Sequence, residues 1–134
     1  MLKAAIIGFG GIGQAHRQAY RILESQNATI KLAAICDIDP ERFKKSVAIN
    51  IGSNDNSNSL EGINLYTDAV EMVLVERPDV VDICLPTYLH EEYTKKMLSM
   101  GINVLCEKPM SLNYNNCLSM IQAANEAGKK LMIG

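Results

Sequence analysis

Two histidines, His16 and His90, stand far apart in this chain, and no third ligand clusters with either, which argues against a metal site. The four cysteines, Cys36, Cys84, Cys106 and Cys117, form no CxxC pair. Three of them lie in apolar strand-like runs, where a free thiol behaves as a small hydrophobe. That usage, with a first strand starting at residue 2 and no leader before it, predicts a reducing, cytoplasmic setting. No block of five like charges occurs and the formal net charge is −2, which argues against nucleic acid or an anionic membrane as partner. No apolar run approaches the roughly 18 residues of a membrane span, and no solenoid-type repeat is present.

What is present is ordinary for a globular chain: 48% hydrophobic and 21% charged residues. At 134 residues the expectation is one domain over 1–134. A chain of that size buries roughly two-thirds of its unfolded surface.

The apolar run Leu2 to Ile7 ends in Gly8-Phe9-Gly10-Gly11-Ile12-Gly13, and a helical pattern follows. Glycines at the first, third and sixth positions between a strand and a helix make a dinucleotide-binding turn. Gly8 permits the tight turn. Gly10 lets a pyrophosphate approach the backbone, and Gly13 lets the helix pack on its strand. The helix N-terminus then offers unpaired N–H groups to phosphate.

The first helix is expected from Ile12 to Leu23, with an inward face of Ile12, Ala15, His16, Ala19, Ile22 and Leu23. Strand two runs Ile30 to Cys36. Asp39-Pro40 opens a second helix carrying Phe43, Val47 and Ile51. The polar stretch Gly52 to Gly62 reads as a flexible loop. A short strand near Asn64 to Tyr66 precedes a helix from Thr67 or Asp68 to Val75 or Glu76. Strand four, Val80 to Leu85, is apolar except for Asp82. Thr87 is placed to cap a helix over Tyr88 to Met100. Strand five, Ile102 to Cys106, leads to Glu107-Lys108-Pro109. The last helix is capped by Asn113, shows Cys117, Met120, Ile121 and Ala124 on one face, and stops at Gly128 before strand six, Lys130 to Ile133. Unbroken apolar strands alternating with helices predict a parallel sheet covered on both faces. With the first-turn fingerprint, they predict a Rossmann-type doubly wound α/β fold of six strands in the order 3-2-1-4-5-6.

Ligands of such sheets sit beyond the strand carboxyl ends. Four segments should therefore share one rim: the Gly turn, Asp37-Ile38-Asp39, Leu85-Pro86-Thr87 and Glu107-Lys108-Pro109. Asp37 ends strand two, where an acid accepts from the adenosine ribose hydroxyls and repels a 2′-phosphate. NAD is thus favoured, while Arg42 nearby keeps NADP open. Lys108 can hold a substrate hydroxyl or shuttle its proton, because the positive charge of an oxidised nicotinamide favours the neutral amine of a neighbouring lysine. By its residues alone a solvated lysine after a strand is the better reading. His16 reads as a satisfied core histidine. His90 faces either the rim or the packing beneath it. Pro109 can fix the loop, a cis bond being one way to do so, although X-Pro bonds are usually trans.

Together GFGGIG (8–13), the acid ending strand two, LPTYLH (85–90) and CEKP (106–109) resemble the Gfo/Idh/MocA family of oxidoreductases, in order and over essentially the whole chain. The resemblance implies NAD(P)-dependent hydride transfer on a sugar, polyol or related small molecule. It implies that Glu107 and Lys108 sit beside nicotinamide and substrate, with Lys108 catalytic, and that Leu85, Pro86 and Thr87 run along the cofactor, with His90 matching the histidine after the Pro turn. The family often has Asn where this chain has Thr87, and a hydroxyl still hydrogen-bonds. The cofactor-binding set expected is Gly8, Phe9, Gly10, Gly11, Ile12, Gly13, Asp37, Ile38, Leu85, Pro86, Thr87, His90, Glu107 and Lys108. Members of the family continue with a substrate domain on the order of 200 residues. The chain is therefore expected to be one domain of a longer two-domain enzyme, inactive alone, with self-association left open. The competing expectation is a non-catalytic nucleotide-binding or sensing module on the same fold.

Overall fold

The computed structural model describes residues 1–44 and 59–134. Val47, Ile51 and most of the Gly52 to Gly62 loop lie outside the described residues.

Six parallel strands form one sheet in the order β3-β2-β1-β4-β5-β6. They are β1 (Leu2–Ile7), β2 (Ile30–Cys36), β3 (Asn64–Tyr66), β4 (Val80–Ile83), β5 (Asn103–Cys106) and β6 (Leu131–Ile133). The expected order is the observed one. Four α-helices are described: α1 (Gly11–Ser25), α2 (Ala69–Glu76), α3 (His90–Ser99) and α4 (Tyr114–Ala127). Local chemistry sets several ends. The Asp68 side chain accepts the Glu71 amide at 2.7 Å and caps α2, and Asn113 accepts the Asn116 amide at 2.9 Å and caps α4. Gly128 closes α4 in the left-handed region at φ 60°.

Alternation along the strands sorts the core onto the two sheet faces. Ala5, Ile7, Val81, Ile83, Val104 and Cys106 meet Met72 and Val73 of α2, Met97 and Leu98 of α3, and Met120 and Ala124 of α4. On the opposite face Ala4, Ile6, Leu32 and Ile35 meet Phe9 and Tyr20, with Phe43 packed alongside.

Three local expectations change. The buried residues of α1 are Gly13 and Tyr20, while Ile12, Ala19, Ile22 and Leu23 are exposed. The helix is rotated so that Gly13, His16 and Tyr20 face the sheet, because the two glycine backbones must meet and because Asp82 beneath needs polar partners. In α4, Met120 and Ala124 are buried but Ile121 is exposed. Residues 87–89 form a 3₁₀ turn leading into α3, and no side chain caps that helix, so Thr87 is not a cap. Pro40–Lys44 is likewise a 3₁₀ turn, entered through an Asp39 side chain that accepts the Glu41 amide at 3.0 Å.

Candidate functional site

The carboxyl ends of β1, β2, β4 and β5 lie at one rim, since the strands are parallel and adjacent. This brings together the Gly turn, Asp37-Ile38, Leu85-Pro86-Thr87 and Glu107-Lys108. At the turn, Gly8 has φ +94°, and a Cβ there would lie 2.6 Å from the Cys84 carbonyl oxygen. A Cβ on Gly13 would lie 2.0 Å from the Gly8 oxygen, so α1 starts in direct contact with the turn. Gly10 precedes α1 and no side chain caps the helix. The first-turn N–H groups of Gly11, Ile12 and Gly13 are thus left for a ligand at the positive end of the helix dipole. Around Gly11 no neighbour lies within 4 Å of an added Cβ, and at Gly10 the nearest atom is the Arg42 Nη1 at 2.8 Å. Such a cradle fits a pyrophosphate.

Asp37 is 6% exposed. Its Oδ2 accepts the Phe9 amide at 2.7 Å and its Oδ1 accepts the Asp39 amide at 2.9 Å. Each oxygen keeps a further lone pair, so the carboxylate can also receive ribose hydroxyls. Arg42 Nε lies 3.6 Å from Asp37 Oδ1 and its guanidinium reaches over Gly10. The acid and the arginine together flank the glycine turn.

Two expected contacts move inward. The Phe9 ring is buried against Phe43, with centroids 6.2 Å apart, so Phe9 can serve the rim only through its backbone. His90 is 1% exposed, its Nδ1 2.9 Å from the Pro109 carbonyl oxygen and its Nε2 2.8 Å from the Leu85 carbonyl oxygen. Both nitrogens are engaged below the rim, where the ring ties the loop after β4 to the loop after β5. That second loop contains a cis Lys108–Pro109 bond, against the usual trans preference. Lys108 is exposed, and its ammonium has no hydrogen bond or ion pair among the described residues.

A cluster that the sequence reading left unassigned lies beside the turn. His16 Nδ1 is 2.9 Å from Asp82 Oδ2, and Nε2 is 2.8 Å from Glu107 Oε1. The Tyr20 hydroxyl donates to Asp82 Oδ1 at 3.1 Å, and the Lys108 amide donates to Glu107 Oε2 at 3.2 Å. The imidazole is pushed up from 6.5 to about 11. The hydrogen bond with Asp82 contributes most, the Cys84 side chain next, and Glu107 adds to both, against the opposing effect of burial. Burial also pushes the Cys84 thiol up, and burial together with the Asp82 charge pushes the Tyr20 hydroxyl up. Asp82 in an otherwise apolar strand was the available signal: a buried acid requires a partner, and the neighbouring helix carries a histidine. The two carboxylates sit on opposite nitrogens of the ring, so they do not converge on one point. Among the described residues no group of three His, Cys, Asp or Glu side chains could hold a metal ion.

The fold and the turn together define a dinucleotide-binding Rossmann domain. Residues 2–134 match the model of the GFO_IDH_MocA oxidoreductase family, NAD-binding Rossmann fold, and the chain belongs to that family. It is 30% identical over 134 residues to an inositol 2-dehydrogenase of Ralstonia nicotianae, covering 98% of this chain and 35% of that protein. With a D-glucoside 3-dehydrogenase of Escherichia coli it shares 28% identity over 130 residues, covering 97% and 33%. A solved NAD binding oxidoreductase from Klebsiella pneumoniae superposes with a TM-score of 0.77 at 32% identity, covering 99% of this chain and 34% of that one. The chain thus spans about a third of the length of the curated relatives it matches. Among the described residues no helix is long and apolar enough to cross a membrane.

Proposed function

We propose that this chain binds NAD and is the cofactor domain of a dehydrogenase that moves a hydride between the nicotinamide and a hydroxyl-bearing carbon of a sugar or polyol. The observation that carries this reading is the Asp37 carboxylate bonded to the Phe9 amide, which sets the ribose acid beside the phosphate cradle. The first turn of α1 holds the pyrophosphate. Asp37 receives the adenosine ribose hydroxyls and disfavours a 2′-phosphate, with Arg42 limiting that preference. The other half of the dinucleotide then runs across β1 to the ends of β4 and β5. There Leu85, Pro86 and Thr87 lie along it, and Glu107 and Lys108 lie at its nicotinamide end.

Bound NAD supplies the hydride acceptor. Lys108, exposed and without a partner among the described residues, holds the substrate hydroxyl or relays its proton. The sugar or polyol class is supported by the inositol and glucoside dehydrogenases among the relatives, which also favour an enzyme over a sensing module. Those relatives are about three times as long, so turnover depends on a second, substrate-presenting domain, and the 134 residues alone are inactive. Self-association and a cytoplasmic setting belong to the same reading.

Titration calorimetry with NAD tests it. Saturable binding in the micromolar to millimolar range is expected for about −8 to −4 kcal/mol of binding free energy. Absence of binding at millimolar NAD removes the reading. Robust polyol oxidation by these residues alone removes the dependence on a second domain.

A further inference from the structure

His16 lies one helical turn beyond the cradle, three residues after Gly13, and both its ring nitrogens face carboxylates. Asp82 comes from β4 and Glu107 from the end of β5. Carboxylates only accept hydrogen bonds and a neutral imidazole has a single N–H, so both contacts are made only by the imidazolium. The groups facing it are Tyr20 from α1, Asp82 and Cys84 from β4 and its end, and Glu107 from the end of β5. One cation therefore sits between two anions.

This arrangement orders Glu107 at both oxygens. Oε1 takes His16, and Oε2 takes the amide of Lys108. Tyr20 does the same for the far side, holding the second oxygen of Asp82, which is 2% exposed. The chain Tyr20–Asp82–His16–Glu107 thus runs from the middle of α1 to the backbone of Lys108, whose ammonium is exposed. A purely structural contact needs none of this polarity, because well-packed apolar side chains commonly replace buried ion pairs without loss of stability.

We propose that His16 is a positioning residue: pinned between Asp82 and Glu107, it fixes the Glu107 carboxylate and through it the backbone that presents Lys108 to the nicotinamide half of the cofactor. The inference rests on the NAD reading above for the identity of that ligand. It gives α1 two tasks. Its N-terminus holds the pyrophosphate, and its second turn sets the loop at the opposite end of the dinucleotide.

The test compares NADH with ADP-ribose, which keeps both riboses and the pyrophosphate and lacks only the nicotinamide ring. Calorimetry is run on the wild-type chain, His16→Gln, Glu107→Gln and the double variant, and the Lys108 amide resonance is followed by NMR. NADH affinity is expected to fall about tenfold in each single variant, as for loss of one charge-assisted hydrogen bond. ADP-ribose affinity is expected to stay within about twofold, and the double variant to bind NADH no more weakly than the weaker single one, because both act through one contact. The Lys108 amide should shift in His16→Gln. A parallel loss of both ligands, an unchanged NADH affinity or additive losses overturns the proposal. Glu107→Gln keeps an amide oxygen for His16 and carries the same comparison if His16→Gln does not fold. If the wild-type chain binds neither ligand, the NAD reading fails, and the Lys108 amide alone decides: an unmoved resonance overturns the positioning role.

Discussion

The Asp37 carboxylate receives the Phe9 amide at 2.7 Å, joining the end of β2 to the glycine turn after β1. One buried acid thereby shapes the glycine turn and, in the proposed function, receives the ribose. Asp37→Ala strips acceptors from the Phe9 and Asp39 amides, and each unsatisfied buried N–H costs about 1–3 kcal/mol. The variant should unfold at lower denaturant and bind NAD at least about tenfold more weakly. Binding of NADP should fall less, since the carboxylate no longer repels the 2′-phosphate. An unchanged NAD to NADP affinity ratio takes Asp37 out of the site.

Two glycines of the turn should respond in opposite ways to alanine. At Gly13 the added Cβ meets the backbone oxygen of Gly8 at 2.0 Å, and backbone cannot step aside. Gly13→Ala should lose at least about 3 kcal/mol of stability. At Gly10 the nearest atom is the tip of Arg42, which can swing away. Gly10→Ala should therefore keep its unfolding midpoint while NAD affinity drops about tenfold or more. Thermal melts paired with calorimetry separate the two outcomes. A stable Gly13→Ala would contradict the observed contact.

His16 makes stability depend on pH. Its folded value of about 11 lies above the ordinary 6.5, so the folded state holds a proton that the unfolded chain releases. The stabilisation is complete below pH 6.5 and is lost as pH rises through 11. Unfolding free energy should fall across that window in the wild type and fall less in His16→Gln. Cys36, pushed up by burial from 9.0 to about 12, contributes the same sign only at the alkaline end. Burial pushes the Cys84 thiol up and His16 holds it down, so the difference between the two curves reads the histidine together with that thiol. In neutral buffer His16→Gln should also cost about 3–5 kcal/mol, because Asp82 and Glu107 lose the charge between them. Parallel curves would show that His16 is not protonated in the fold.

Lys108 is exposed, and removing its ammonium leaves no buried group unpaired. Lys108→Ala should leave the unfolding free energy within about 0.5 kcal/mol. NADH affinity should fall about tenfold, as in His16→Gln, while in the proposed two-domain protein turnover should collapse. A large stability loss in Lys108→Ala would place its side chain in the packing instead.

Period and punctuation in the chain carry most of the architecture. Apolar runs of strand length, the Gly turn, Asp68 and Asn113 as caps and Gly128 as a stop define elements through contacts within a few residues. Parallel strand order follows from the fingerprint and from crossover handedness. The rim residues were legible for the same reason: strand ends in a parallel sheet must coincide. The rotation of α1 was not legible. Hydrophobic spacing points Ile12, Ala19 and Ile22 inward, yet the sheet beneath offers Asp82, and a buried carboxylate outweighs a few half-buried aliphatics. Nor does local sequence reveal that His90 ties two loops from below, or that Glu107 turns toward α1. Those contacts span 19 and 91 positions in the chain. The sequence by itself determined which residues stand at the strand ends. Only tertiary packing decided which of them stay open at the rim and which hold the others in place, because burial of charge is settled by partners that only the folded sheet brings within 3 Å.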